Sequence, residues 1–234
     1  MMGKNRIKRK LTITDDGSHT LFVPELNEHY HSTHGAIQES AHVFINNGLN
    51  FVIDELRKKN REDGCIKILE VGFGTGLNAL LTCQKATEVK QTVSFTSVEK
   101  YPITIDEINK LNFAKKLGNG YDACFKKMHN AKWGDYEEIT PNFRLKKLET
   151  DLLDFKPDDL FHLIYFDAFS PNVQPKLWTE SVFKQMHNCL LPNGILVTYS
   201  AKGLVKQNLR SAGFSVKRLP GPPGKWQMLR AQTL

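Results

Sequence analysis

The sequence predicts an α/β fold built on an open, mostly parallel sheet, and three observations carry that prediction. From residue 66 onward, short apolar strand-like runs alternate with segments of helical spacing. The first of these runs, residues 66–71 (IKILEV), passes directly into a glycine-rich turn over 72–76. The last two runs are joined by Pro220-Gly-Pro-Pro-Gly224 with no helix between them, so that pair must be antiparallel.

The elements follow in order. Residues 11–14 and 20–23 flank Asp16-Gly17 and read as a hairpin. A polar, histidine-rich stretch over 27–35 leads to an amphipathic helix over 36–60, with Asn46-Asn47-Gly48 as a candidate interruption. Strands are expected at 66–71, 92–98, 143–148, 160–166, 195–199, 214–219 and 226–231. Helices are expected at 77–85, through about 102–140 with a break at residues 118–120, at 176–191 up to Pro192-Asn-Gly194, and at 202–212 closed by Gly213. The chain thus divides into a basic arm (1–10), a hairpin-and-helix extension (11–60) and a main domain (61–234).

Composition narrows the class. At 234 residues, 40% hydrophobic and 24% charged, the chain has room for one large domain and lies well above a disordered composition. No run approaches the ~18 apolar residues of a membrane span. The N-terminus MMGKNRIKRK is basic without the apolar stretch of a signal peptide, so no membrane association and a cytoplasmic location are expected. Cys65, Cys83, Cys124 and Cys189 are far apart with no C-x-x-C pair and read as inert thiols.

The formal charge of +7 is unevenly spread. Lys4, Arg6, Lys8, Arg9 and Lys10 crowd the first ten residues without an acid. Lys202, Lys206, Arg210, Lys217, Arg218, Lys225 and Arg230 do the same over 201–234, which leaves the middle at −5. Basic ends attract polyanions, and they also occur as solvated surface.

The sharpest motif is Glu70-Val-Gly72-Phe-Gly74-Thr-Gly76-Leu-Asn78. A dinucleotide fingerprint would need glycine at position 77, where Leu77 stands, and no G-K-[ST] follows to make a phosphate loop. G-x-G-x-G preceded by an acid resembles motif I of S-adenosylmethionine-dependent methyltransferases; its other reading is a tight turn without a ligand. Glu99, directly after the second main strand, is placed to accept both ribose hydroxyls. Asp151 and Leu152 follow the third strand, where such enzymes commonly hold the adenine amino group; a helix N-cap is the alternative. Asp167-Ala-Phe169-Ser-Pro171 follows the fourth strand, on the crevice side of the sheet. It lacks the acid- or Asn-Pro-Pro-aromatic pattern of many amino-group methyltransferases, which weakens adenine or cytosine methylation as a reading.

A more specific resemblance emerges from Tyr30-His-Ser32-x-x-Gly35-Ala36-x-x-Glu39-Ser40-x-His42-Val-Phe, the glycine motif and Asp167-Ala-Phe-Ser-Pro171 taken in order. Leu177-Trp178-Thr179, Pro192-x-Gly194, Thr198-Tyr-Ser200, Val205 and Ala212-Gly213-Phe214 follow. Together they resemble the methyltransferase domain of the MnmC family of bacterial tRNA wobble-uridine modification enzymes, over nearly all of residues 11–234.

That resemblance implies a class I S-adenosylmethionine-dependent methyltransferase fold, Rossmann-like, with a seven-stranded, mostly parallel sheet containing one antiparallel strand. It implies methyl transfer from S-adenosyl-L-methionine to the amine of 5-aminomethyl-2-thiouridine at the tRNA wobble position, giving 5-methylaminomethyl-2-thiouridine. Two-domain relatives continue into an FAD-dependent domain. Because this chain stops at Leu234, it looks like the stand-alone MnmD-like form, expected to use no FAD and to depend on other enzymes for the aminomethyl intermediate.

By the same resemblance, Asp167 is the expected catalytic residue, orienting the amine or taking its proton, with strand-end packing as its bland alternative. Tyr30, Ser32, Glu70, Gly72, Gly74, Gly76, Asn78, Glu99, Asp151 and Leu152 are expected to serve the cofactor. Phe169, Ser170 and Lys202 are expected to serve the tRNA anticodon region. Phe169, Trp178 and Trp226 are candidates for stacking on a splayed base, Phe169 first among them. His29, His31 and His34 are close enough in sequence to suggest a metal, but methyl transfer needs none and none is expected. Rival readings are an aminopropyltransferase resembling spermidine synthase, a small-molecule N-methyltransferase, and a non-catalytic RNA-binding protein.

Overall fold

The computed structural model describes residues 7–60, 64–118 and 120–234; Lys4 and Arg6 of the predicted arm lie outside them. Among the described residues, β1 (Lys10–Ile13), β2 (His19–Val23) and β3 (Glu28–His29) form a small antiparallel sheet in that order. The β1–β2 turn is tied by Asp16, whose Oδ1 accepts from Thr14 Oγ1 at 2.7 Å and from the Ser18 amide at 2.9 Å.

A single helical rod follows: α1 (Ala36–Ser40), a π-helical stretch over Ala41–Leu49, and α2 (Asn50–Lys58). Asn46-Asn47-Gly48 therefore does not interrupt the helix, as the sequence suggested it might; the chain accommodates it by widening its turns. Gly48 has a packing reason. A Cβ there would lie 3.2 Å from Val197 Cγ2 and 3.3 Å from Tyr165 Cε1, so its absence lets the rod lie directly on the sheet.

The main sheet is built from β4 (Ile66–Val71), β5 (Val93–Glu99), β6 (Tyr136–Thr140), β7 (Phe143–Glu149), β8 (Phe161–Phe166), β9 (Leu190–Thr198), β10 (Ser215–Pro220) and β11 (Gln227–Gln232). The helices are α3 (Leu77–Glu88), α4 (Ile105–Ile108), α5 (Phe113–Leu117), α6 (Tyr121–Asn130), α7 (Glu180–Asn188) and α8 (Gly203–Ser211). Strand order is β10-β11-β9-β8-β4-β5-β7-β6, with the five strands from β9 to β7 parallel. β11 runs antiparallel to both β9 and β10, as the short Pro-Gly loop required.

The described residues thus form eight main-sheet strands rather than seven. The extra one, β6, lies within the region read as helical and pairs antiparallel with β7. Its two glutamates disfavour a strand locally, but the pairing, the Tyr136–Thr96 hydroxyl contact at 2.7 Å and the Arg144 guanidinium 4.6 Å over the Tyr136 ring hold it at the edge. Two boundaries also move. The helix expected over 176–191 is a 3-10 turn (Pro175–Trp178) followed by α7, which ends at Asn188. Pro192-Asn-Gly194 is not a gap between helix and strand but an irregularity inside β9, where the pairing jumps from Phe161↔Leu190 to Leu163↔Ile195.

Alternation along β4 explains the three layers. Ile66 and Ile68 face a core shared with the 36–58 rod, α3, α5 and α6; Leu69 and Val71 face the core under α7 and α8. The parallel strands all point their carboxyl ends at one edge, where ligand crevices form in such sheets. Gly48→Val should overpack the rod against Tyr165 and Val197 and lower stability by about 1–3 kcal/mol in urea unfolding; an unchanged midpoint would show that the rod can lift off the sheet freely.

Candidate active site

A cavity of about 400 Å³ opens at the carboxyl edge of β4, β5, β7 and β8, roofed by residues of the small N-terminal sheet. That volume suits a small-molecule ligand. Its floor is the turn from β4 to α3. Gly74 has φ +50°, and a Cβ there would stand 3.0 Å from the Tyr30 ring, so backbone and aromatic ring meet without a side chain between them. The Gly74 amide donates to Glu99 Oε2 at 2.9 Å, and the Tyr101 amide donates to Glu99 Oε1 at 2.7 Å. Glu99 is thereby held across the glycine turn with lone pairs remaining on both oxygens.

The N-terminal extension supplies the opposite wall. Tyr30 stacks edge-on against Phe169 with 5.0 Å between centroids, and its hydroxyl accepts from Arg9 Nε at 2.8 Å. Arg9 also pairs with Glu107 at 3.3 Å and donates to the Tyr101 carbonyl at 2.7 Å, with its side chain only 3% exposed. This member of the predicted basic arm is a structural clamp rather than a free cation. Ser32 lines the cavity, and its amide donates to Glu39 Oε2 at 2.7 Å. His31 is buried and hydrogen-bonded through Nε2 to Thr75 Oγ1 at 2.7 Å; burial lowers its pKa to about 4, so the ring is neutral. His29 stacks on Phe22, and His34 meets Asp15 at the surface. The three histidines therefore face three different partners, and among the described residues no group of three His, Cys, Asp or Glu side chains is arranged to hold a metal ion.

Asp167 sits in the cavity wall just beyond β8, fully desolvated, and burial raises its pKa to about 7 against the hydrogen bond from Asn78. That bond runs from Asn78 Nδ2 to Asp167 Oδ2 at 2.8 Å. Behind it lies Glu70, 0% exposed and outside the cavity lining. Ser97 Oγ donates to Glu70 Oε2 at 2.5 Å, while burial drives its pKa well up. Glu70 Oε1 and Asn78 Oδ1 are both buried without a partner. Asn78 is also among the groups acting on Glu70, so a proton on Glu70 satisfies both acceptors at once. Glu70 thus reaches the cavity through Asn78 rather than touching a ligand itself, a correction to its expected role.

The remaining expected residues separate. Gly72, Asp151, Leu152, Phe169 and Ser170 line the cavity; Gly76 lies behind it, and Lys202 lies outside, donating to Asn172 Oδ1 at 2.8 Å. Asp151 Oδ2 accepts from Lys100 at 2.6 Å and Oδ1 from the Leu153 amide at 3.0 Å, so its capping role is realised while it remains on the wall. Ser170 Oγ donates to Glu28 of β3, which ties the loop after β8 to the small sheet. Trp178 is 1% exposed and donates from Nε1 to the Phe169 carbonyl at 2.9 Å. It braces the loop from within and is removed as a base-stacking candidate.

Glu39 and Lys225 form an ion pair across 186 residues of sequence, and Lys225 Nζ also lies 4.1 Å over the Tyr199 ring. Sequence reading left Lys225 among the surface cations. Glu39 was visible only as one position of a longer motif.

The cavity wall carries five carboxylates, Glu28, Glu39, Glu99, Asp151 and Asp167, against two lysines that are both already ion-paired. That surplus of negative charge and the unpartnered Asn78 Oδ1 suit a ligand bearing positive charge and hydrogen-bond donors. S-adenosylmethionine, with its sulfonium and ammonium groups, fits that donor set.

Comparisons with known proteins agree. A family model described as S-adenosyl-L-methionine-dependent methyltransferase matches residues 126–233. A tRNA 5-methylaminomethyl-2-thiouridine biosynthesis bifunctional protein MnmC from Pseudomonas savastanoi is 31% identical over 222 residues, covering 88% of this chain and 32% of that protein. The corresponding protein from Cupriavidus necator is 30% identical over 230 residues, with 88% and 32% covered. The chain therefore spans about a third of the length of these relatives. Among solved structures, MNMC2 from Aquifex aeolicus superposes with a TM-score of 0.73 at 26% identity, covering 97% of this chain and 71% of that one. Spermidine synthase from Thermotoga maritima, at 13% identity and a TM-score of 0.54 over 96% of this chain and 72% of that one, shares the fold alone. On its fold, its cation-suited cavity and these relatives, the chain belongs to the S-adenosyl-L-methionine-dependent methyltransferases, similar to the MnmC type.

Proposed function

We propose that this chain methylates the primary amine of 5-aminomethyl-2-thiouridine at the wobble position of tRNA. The observation that carries the proposal is Asp167: a desolvated carboxyl at the carboxyl end of β8, anchored by Asn78 through one oxygen and set beside Phe169 in a cavity of carboxylates. The relatives named for this modification supply the substrate.

The cofactor, when bound, supplies an electrophilic methyl group. Glu99 accepts from its ribose, Asp151 and Leu152 hold its adenine end, and the backbone of Gly72 and Gly74 lets it approach the sheet closely. Tyr30 and Ser32 close over it. Asp167 Oδ1, the oxygen not used by Asn78, accepts a hydrogen bond from the substrate amine. That contact aims the nitrogen lone pair, and alignment of this kind contributes up to ~7–11 kcal/mol to a displacement. After transfer the amine carries an extra proton, which Asp167 relays toward solvent from Oδ1. A fully ionised neighbour would hold the amine as unreactive ammonium. A carboxyl poised near pH 7 avoids that while still accepting a proton.

The aminomethyl nucleoside must come from a separate reaction that installs the amine on the tRNA uridine. A cytoplasmic site of action follows from that substrate. In keeping with it, no helix among the described residues is long and apolar enough to cross a membrane.

Three outcomes are expected. Incubating the protein with S-adenosylmethionine and aminomethyl-bearing tRNA should yield the methylaminomethyl nucleoside by mass analysis, with no transfer to putrescine; methylation of small amines alone would overturn the proposal. Asp167→Asn should lower kcat by about 10²–10⁴-fold with cofactor affinity nearly unchanged. For the wild type, kcat/KM should fall as pH drops through about 7, where Asp167 protonates in the free protein, and Asp167→Asn should keep only the limb set by the substrate amine. Glu99→Ala should weaken cofactor binding by about 10–100-fold in calorimetry, the loss of one to two charged hydrogen bonds; unaltered affinity would remove its ribose role.

A further inference from the structure

Trp226 is 97% exposed, although an indole is among the most favourable groups to bury. The other two tryptophans have internal partners: Trp178 in the core, and Trp133 packed against Phe73 and 4.8 Å from the Lys147 ammonium.

The loop that carries Trp226 is tied down on several sides. The Gly221 amide donates to the Trp226 carbonyl at 3.1 Å, and the Lys225 amide donates to the Pro222 carbonyl at 2.9 Å. Pro222 is buried, and the His42 ring donates to the Pro220 carbonyl at 2.9 Å. Lys225, the residue just before Trp226, lines the cavity and is pinned by Glu39 and Tyr199. The exposed indole is thus fixed one residue from the wall of the methyl-transfer site.

Strand register confirms the placement. Arg218 pairs with Leu229, and Leu229 pairs with Thr198 at the carboxyl end of β9, so the β10–β11 turn emerges at the same sheet edge as the cavity. Cations follow that edge outward. Lys202 reaches Asn172, two residues beyond Ser170. Lys206 of α8 lies close enough to Arg210 and Arg218 for their repulsion to lower its pKa. Among the described residues none of these three is ion-paired, and residues 201–234 contain no acid to pair them.

We infer that Trp226 is a stacking platform for an unpaired nucleotide flanking the modified one, and that Lys202, Lys206, Arg210 and Arg218 follow the adjoining phosphates. This rests on the proposed tRNA substrate and extends it to a binding surface outside the catalytic cavity. Every base offers a π-face to an indole, and phosphates relieve the mutual repulsion of the cations.

The test uses the full chain with tRNA and with an anticodon stem-loop RNA. Trp226→Ala should raise KM for tRNA by about 10–100-fold, the range of one lost base stack, with kcat at saturating tRNA and cofactor affinity unchanged. Trp226→Phe should recover most of the loss. The triple variant Lys206→Gln, Arg210→Gln, Arg218→Gln should flatten the slope of log affinity against log salt by about 2–3. Wild-type methylation of tRNA combined with an unchanged KM in Trp226→Ala overturns the stacking role alone. An unchanged salt slope overturns the phosphate track. Failure of the wild type to methylate any tRNA removes the proposed function, and this inference with it.

Discussion

A carboxyl group shut away from water has to be neutral, hydrogen-bonded or matched by a cation, and this site is arranged around that constraint. Three buried acids meet it in three ways. Glu39 takes a cation, Lys225, from the far end of the chain. Asp167 takes an amide hydrogen from Asn78 and is left near neutrality, short of full compensation. Glu70 takes a hydroxyl from Ser97 and keeps a proton, because nothing else faces its second oxygen except the unpartnered Asn78 carbonyl. Asn78 thereby links an acid that stays protonated to one that can exchange its proton. A cavity whose walls hold this much incompletely compensated negative charge is prepared for a cationic ligand and an amine.

The same arrangement makes the N-terminal extension part of the site. Tyr30 closes on Gly74, His31 buttresses Thr75, Glu28 holds the loop after β8, and Arg9 locks Tyr30 to the segment after β5. Each contact joins this extension to the main sheet, and Gly48 lets the connecting helical rod lie flat enough to keep them in register. Charge is sorted in the same way. Arg9, Lys225 and Arg230 are absorbed by internal partners, Arg230 with its guanidinium 3.6 Å from the Phe51 ring centroid, while the α8 and β10 cations stay outside.

Much of this was legible in the sequence, because it depends on short-range regularities. Alternating strand and helix periods define a parallel α/β sheet. A strand running into Gly72–x–Gly74–x–Gly76 marks a ligand turn. The acids Glu99, Asp151 and Asp167 each stand just past a strand, and parallel topology brings such positions to one edge without any knowledge of packing. What the sequence could not show was set by contacts between distant segments. β6 is a strand because β7 pairs with it. The residues around Gly48 stay helical because the sheet lies beneath. Trp178 is a brace and Trp226 an exposed ring, although local sequence treats the two alike. Glu70 looked like a ligand because it precedes the glycines, yet strand alternation turns it inward to Ser97 and Asn78. The sequence by itself determined which edge of which sheet holds the chemistry. Only the tertiary structure decided which charges are buried, paired or free, because burial is a property of the surrounding chain and not of the residue.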